Sequence, residues 1–253
     1  MTITERDIMG GLAKGLAVIE TFGTDRPRQS ISDVAAASGL DRATARRCLL
    51  TLVHEGYADW DGKFFTLTPR VLLLGTACLA SMPMPAIVQP ALDALSDRIG
   101  ESTSVSILDG AEIVYVARAA QRKVMSISLM PGSRLPAYCT SMGRVLLAAL
   151  PESDARARLA KAPLPARTAL TLTDPAAILA ELSRIRAQGF AAIDQEVEIG
   201  LRSLAVPLAT ARGQVIAALN VGLPAGPEPI AEVTARLLPE LRLVAGQLRE
   251  LLR

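Results

Sequence analysis

The chain has 253 residues, 27 Lys and Arg against 25 Asp and Glu, and a net charge of +2, a length that favours two domains over one. Half of it is apolar but only 3% is aromatic, so Leu, Ala, Val and Ile must build the cores, and a disordered chain is excluded. Cys48, Cys78 and Cys139 form no C-x-x-C pair, which argues against a disulfide framework or a zinc knuckle and fits a reducing cytoplasm. Glu5, Arg6 and Asp7 lack an apolar run behind them, so no signal peptide is expected. The longest apolar stretch, Val71 to Ala80, is broken by Gly75 and Thr76 and is far shorter than the ~20 residues that span a bilayer. A soluble, cytoplasmic protein without a membrane partner is expected.

In the first segment Leu12, Leu16 and Ile19 recur at helical spacing up to Phe22-Gly23, predicting a core helix. Ser30-Ile-Ser-Asp33 is an S-x-x-D capping box that starts a second helix, and Gly39 ends it. Asp41 then caps a third, Arg42 to Glu55. Two short helices about a Gly-containing turn are the helix-turn-helix signature. The third helix separates its faces: Ala45, Cys48, Leu49, Leu52 and Val53 form one apolar stripe, while Arg42, Thr44, Arg46, Arg47 and Thr51 are the residues assigned to DNA. Arginines on a helix are also what a solvated face looks like. What favours DNA is the next segment, Tyr57 to Leu67, two β-prone runs about Asp61-Gly62 that predict a hairpin wing, with Lys63 near its tip for phosphate. Residues 1–75 carry nine basic and nine acidic side chains, so the case rests on where the arginines sit and not on their number.

After Thr68-Pro69, the segment from Arg70 to Ser81 is helical in pattern and apolar on most sides (Leu72, Leu73, Leu74, Ala77, Cys78). It reads as a linker helix that packs in a dimer, or equally as a helix packed on its own larger domain. Pro83 and Pro85 mark the boundary. The expected organisation is therefore a winged helix-turn-helix over 1–69, a linker helix over 70–83 and an effector domain over 84–253.

The larger domain begins with an amphipathic helix (Ile87, Ala91, Leu95, Ile99) ending at Gly100. A hairpin follows, Thr103 to Leu108 and Ile113 to Ala117 about Asp109-Gly110. Ser126 to Met130, Leu204 to Leu208 and Val215 to Leu223 read as strands, with helices over Val145 to Leu150, Ala176 to Gln188 and Ile230 to Leu252. Antiparallel strands with helices outside give an α+β sensor-type domain.

The single histidine, His54, belongs to the DNA-binding unit, so the larger domain can form no Ser-His-Asp or Cys-His pair. No nucleotide, cofactor or metal-ligand motif occurs. Asp194 and Glu196 are read as structural or ligand-orienting, with acid–base work as the alternative. The segment Pro131 to Arg144 leaves a strand, crosses a Gly/Pro loop and enters a helix capped by Thr140 or Ser141. The amides of Ser141, Met142 and Gly143 then face outward, where a carboxylate would bind, unless Thr140 or Ser141 only caps the helix.

The succession of winged helix-turn-helix, linker helix and α+β domain resembles the IclR family of bacterial transcriptional regulators. Arg6 to Leu16, Leu67 to Val71, Ile113 to Arg118 and Arg134 to Arg144 look like its PcaR/PcaU/PobR branch. That resemblance implies a GAF-like effector-binding domain, a homodimer that can pair again into a homotetramer on a palindromic operator, and a small organic acid as effector. In this branch the genes serve aromatic-acid catabolism through the β-ketoadipate pathway, and protocatechuate, 4-hydroxybenzoate and β-ketoadipate remain open as effectors. RNA polymerase is a candidate further partner. By match to the family's pocket, Ser141 and Met142 offer amides to the carboxylate, Leu201 and Ser203 line the wall, Asn220 faces in from the last strand and Asp194 matches a motif acid. Tyr138 and Thr140 complete the expected effector set. An enzyme or small-molecule carrier fused to a DNA-binding module, and a winged helix that contacts protein, are the competing readings.

Overall fold

Helix α1, Gly10–Glu20, opens the first of two units, Met1–Ser81 and Met82–Arg253. The structure, a computed structural model, describes residues 4–23, 25–121 and 129–252, with Glu5, Leu79 and Ala80 described for their backbone alone. Helix α2, Ile31–Ser38, starts at the expected capping box: the Ser30 hydroxyl accepts from the Asp33 amide, and the Asp33 carboxylate accepts from the Ser30 amide at 2.8 Å. Gly39 ends it at φ 70°, a left-handed conformation that costs glycine little. Helix α3, Arg42–His54, is capped by Asp41, whose carboxylate accepts from the Thr44 amide at 2.9 Å. Those bonds to the ionised form hold both Asp33 and Asp41 below the usual carboxylate range.

Strands β2, Ala58–Trp60, and β3, Phe65–Leu67, form the expected hairpin. A two-residue strand β1, Arg28–Gln29, adds itself to β3, giving the order β1-β3-β2. Val18, Val34, Ala45, Leu49, Leu52 and Phe65 make the core. One expectation fails: Leu12 and Leu16 of α1 are not core residues but stand 60% and 47% exposed, and Val18 is the buried side chain of that helix. Helix α4, Leu72–Ser81, follows a short 3-10 turn, with Leu72, Leu73 and Leu74 exposed.

In the second unit α5, Pro83–Ile99, begins earlier than the apolar spacing indicates, because Pro83 occupies the first helical position where no amide donor is needed. Strands β4 (Ser102–Asp109), β5 (Glu112–Ala119), β6 (Arg134–Pro136), β7 (Ala191–Asp194), β8 (Leu201–Ala209) and β9 (Val215–Pro224) form one antiparallel sheet in the order β6-β5-β4-β9-β8-β7. The strand expected at Ser126 to Met130 lies largely outside the described residues, and Leu129 and Met130 are not in a strand. Helices α6 (Ser141–Ala148), α7 (Glu152–Ala160), α8 (Pro175–Gln188) and α9 (Ile230–Arg249) complete the unit.

The sheet separates two cores. Val105, Leu204, Val206, Leu219 and Val221 pack with Leu92 and Leu95 of α5 and Leu237 and Leu241 of α9. Ile113, Ala205 and Ala218 pack on the other face with α6 and with Ile178, Leu182 and Ile185 of α8. Strand alternation explains the split. One face is branched and full, while the other carries Ser, Gly and Ala and leaves room.

Candidate functional site

On α3, Arg42, Arg46 and Arg47 are exposed, and among the described residues none is paired with a carboxylate. Unpaired cations held on one rigid helix are what phosphate and guanine edges require. Thr51 is exposed on the same helix, its hydroxyl donating to the Arg47 carbonyl. Thr44 is committed to the cap, its hydroxyl donating to Asp41 at 2.7 Å. Lys63 is exposed on the wing, with its ammonium 5.0 Å from the Phe64 ring centroid. The sequence reading missed Arg28 as part of this wing: β1 brings it over the same ring at 4.1 Å and pairs it with Asp61. That pair and the Phe64 and Lys63 amides hold the Asp61 carboxyl far below its ordinary range, with the Arg28 contact leading.

The second site is a small pocket between the small-residue face of the sheet and the start of α6. Six of the expected effector residues line it: Thr140, Ser141, Met142, Leu201, Ser203 and Asn220. Thr140 is the N-cap, its side chain accepting from the Gly143 amide at 3.2 Å. Among the described residues the Ser141 and Met142 amides find no acceptor, so they carry the positive end of α6 into the pocket. Gly143 is required here, since a Cβ would fall well inside 3.0 Å of the Ala137 carbonyl, the Ala137 Cα and the Thr140 hydroxyl.

Two expected residues are elsewhere. Tyr138 faces a separate, mostly apolar pocket and donates its hydroxyl to the Pro165 carbonyl. Asp194 is not on the wall; it binds Arg202 at 2.8 and 3.1 Å. Nor is Glu196 free for acid–base work: Arg144 grips both its oxygens at 2.8 and 2.6 Å, and it accepts the Leu172 amide at 2.9 Å. Because Arg144 also donates to the Tyr138 carbonyl at 2.7 Å, this buried pair ties α6 to the loop carrying Val197, a pocket residue.

The sequence reading also missed Ser102, Tyr115, Arg118, Val197 and Gly222, all on the wall. Tyr115 and Arg118 are three apart on β5 and would ordinarily face opposite ways. A bulge brings them to one face: Val105 pairs with Ala117 but Ser106 with Tyr115, leaving Val116 as the extra residue. Val116 and Ala117 accordingly both join the opposite core. Burial pushes the Tyr115 phenol up to about 12, keeping it neutral, and Arg118 counters this slightly. Asn220 Oδ1 is buried and has no partner among the described residues.

A winged helix-turn-helix joined to an α+β domain with an internal ligand pocket defines a class: transcriptional regulators that bind DNA with one domain and an effector with the other. The IclR helix-turn-helix domain model matches residues 11–62 and the bacterial transcriptional regulator IclR C-terminal model matches residues 76–249. The chain is 46% identical over 236 residues to the Pca regulon regulatory protein of Pseudomonas putida, covering 93% of this chain and 81% of that one. It is 37% identical over 254 residues to the p-hydroxybenzoate hydroxylase transcriptional activator of Acinetobacter baylyi, covering 98% and 94%. The crystal structure of an IclR homolog from Microbacterium hydrocarbonoxydans complexed with 4-hydroxybenzoate superposes with a TM-score of 0.74 at 28% identity, covering 94% of this chain and 97% of that one. The chain belongs to the IclR family of bacterial transcriptional regulators. It is a regulator and not an enzyme. Among the described residues, no single helix is long and apolar enough to cross a membrane.

Proposed function

We propose that this regulator acts in the cytoplasm on aromatic-acid catabolism, binding a palindromic operator as a homodimer or a pair of dimers under control of a small carboxylate effector. The observation that carries the effector class is the sheet-side pocket closed by the unpartnered amides of Ser141 and Met142. Helix starts of this kind favour anions. Relatives named for the Pca regulon and for p-hydroxybenzoate hydroxylase, and a related structure containing 4-hydroxybenzoate, support an aromatic acid or a β-ketoadipate-pathway metabolite. Thr140, Leu201, Ser203 and Asn220 would shape the wall. The exposed leucines of α1 and α4 support burial against a second copy.

The test of the effector class is a thermal-shift screen of the full chain over aromatic acids and their ring-cleavage products. One acid is expected to raise the melting temperature by roughly 5 °C or more at a hundredfold excess over its Kd. Ser141→Pro, which removes one amide, and Ser203→Leu, which fills the pocket, should abolish that shift. A neutral ligand that shifts the transition while every carboxylate fails overturns the reading.

For DNA, Arg42, Arg46, Arg47 and Thr51 on α3 are the reading set, with Thr44 serving the cap that starts the helix, and Lys63 on the wing holds phosphate. Arg46→Ala or Arg47→Ala should weaken operator binding by about 1–3 kcal/mol wherever a base contact is lost, without loss of fold. Fluorescence anisotropy at fixed salt measures it; full affinity in both variants would place recognition elsewhere.

A further inference from the structure

We infer that Arg118 is the side-chain anchor of the effector's carboxylate, delivered to the pocket by the β-bulge at Val116. This rests on the proposal above that the pocket takes an acid. The guanidinium is half-buried on the pocket wall, and among the described residues no carboxylate reaches it. One of its nitrogens donates to the Ser104 hydroxyl at 3.0 Å, while its buried Nε has no acceptor among the described residues.

A guanidinium carries five N–H donors in a planar fork. Withdrawing it from water without an anion is unfavourable, and a bound carboxylate removes that penalty through charge-assisted bonds. The surroundings leave Arg118 for this purpose. Ser104, opposite it on β4, has a short side chain that accepts one bond and adds no charge. Tyr115, brought to the same face by the bulge, stays neutral at physiological pH. The other buried arginine on this side, Arg144, is occupied by Glu196. Arg118 therefore supplies the charge that the two amides of α6 alone do not.

The bulge is necessary to this arrangement. Without the extra residue, Arg118 would fall on the face opposite Tyr115, against α5 and α9 and away from the pocket.

The test uses the full chain and three probes, 4-hydroxybenzoate, 3,4-dihydroxybenzoate and 3-oxoadipate. The one that binds most tightly by isothermal titration is carried forward beside its neutral amide. Arg118→Gln is expected to weaken the acid about 30-fold, as for a lost charge-assisted contact, and to leave the amide's affinity within about threefold, so that acid–amide discrimination collapses. Arg118→Lys should weaken the acid about tenfold, because it keeps the charge and loses the fork. In the wild type, the acid should protect Arg118 from phenylglyoxal and the amide should not, a measurement that survives a variant's failure to fold. Acid affinity unchanged in Arg118→Gln, or no protection by a bound acid, overturns the assignment while leaving the carboxylate reading intact. Failure of every acid to bind the wild type removes that reading and this one together.

Discussion

Gly143→Ala is expected to destabilise the second unit by roughly 3 kcal/mol or more, the upper end of what overpacking a core costs. The added methyl meets the Ala137 carbonyl, the Ala137 Cα and the hydroxyl that caps α6, and two of these are backbone atoms that cannot rotate away. Relief requires lifting α6 from the Ala137–Cys139 turn, which moves the Ser141 and Met142 amides out of the pocket. Denaturant unfolding should show a lower midpoint, and calorimetry should show loss of acid binding even where the unit remains folded. Wild-type stability together with wild-type acid affinity would mean that α6 does not pack this closely.

The second large effect is at the buried ion pair. Arg144 is 2% exposed, and Arg144→Leu leaves the Glu196 carboxylate with the Leu172 amide as its remaining described partner. Removing one member of such a pair costs about 3–5 kcal/mol, whereas replacing both with apolar residues can be nearly neutral. The double variant Arg144→Leu, Glu196→Leu should therefore recover much of the loss. Recovery should be incomplete, because the Tyr138 carbonyl and the Leu172 amide each lose a partner. Calorimetric midpoints of the two singles and the double give the coupling directly. Additive losses would contradict a role for the pair in holding the Val197 loop to α6.

Local signals in the sequence carried the helix-turn-helix. A capping box, a Gly exit and an Asp cap act within four residues of where they are written, and α2 and α3 start and stop where those residues require. Periodicity proved weaker for α1: it tells which residues share a face, not whether that face has a partner, and Leu12 and Leu16 are exposed. Strands β1 and β6, of two and three residues, are too short to alternate visibly. Helix α7 is charged throughout and buries Ala155 and Leu159 alone, so it has little stripe to read.

In the pocket, the N-terminus of α6 was legible because a Gly/Pro loop leads into two adjacent cap candidates, Thr140 and Ser141, of which the structure makes Thr140 the cap. Arg118 was not. Strand parity places it opposite Tyr115, and the bulge that reverses this is fixed by the pairing of β4 with β5, a long-range register absent from any local pattern. Tyr138 and Asp194 were expected on the wall, but each belongs to a separate contact, with Pro165 and Arg202. A motif places a residue near a site without fixing where its side chain points.

Under the proposed function, a carboxylate in the sheet-side pocket controls DNA binding by α3. The most direct test of that control is fluorescence anisotropy of the full chain on DNA from upstream of its own gene, titrated at constant salt with and without each acid and its amide. At least one acid should change the operator Kd by about fivefold or more, within the usual range of allosteric coupling, and the matched amide should not. Sequence-specific binding that responds to a neutral ligand and to no carboxylate would contradict it.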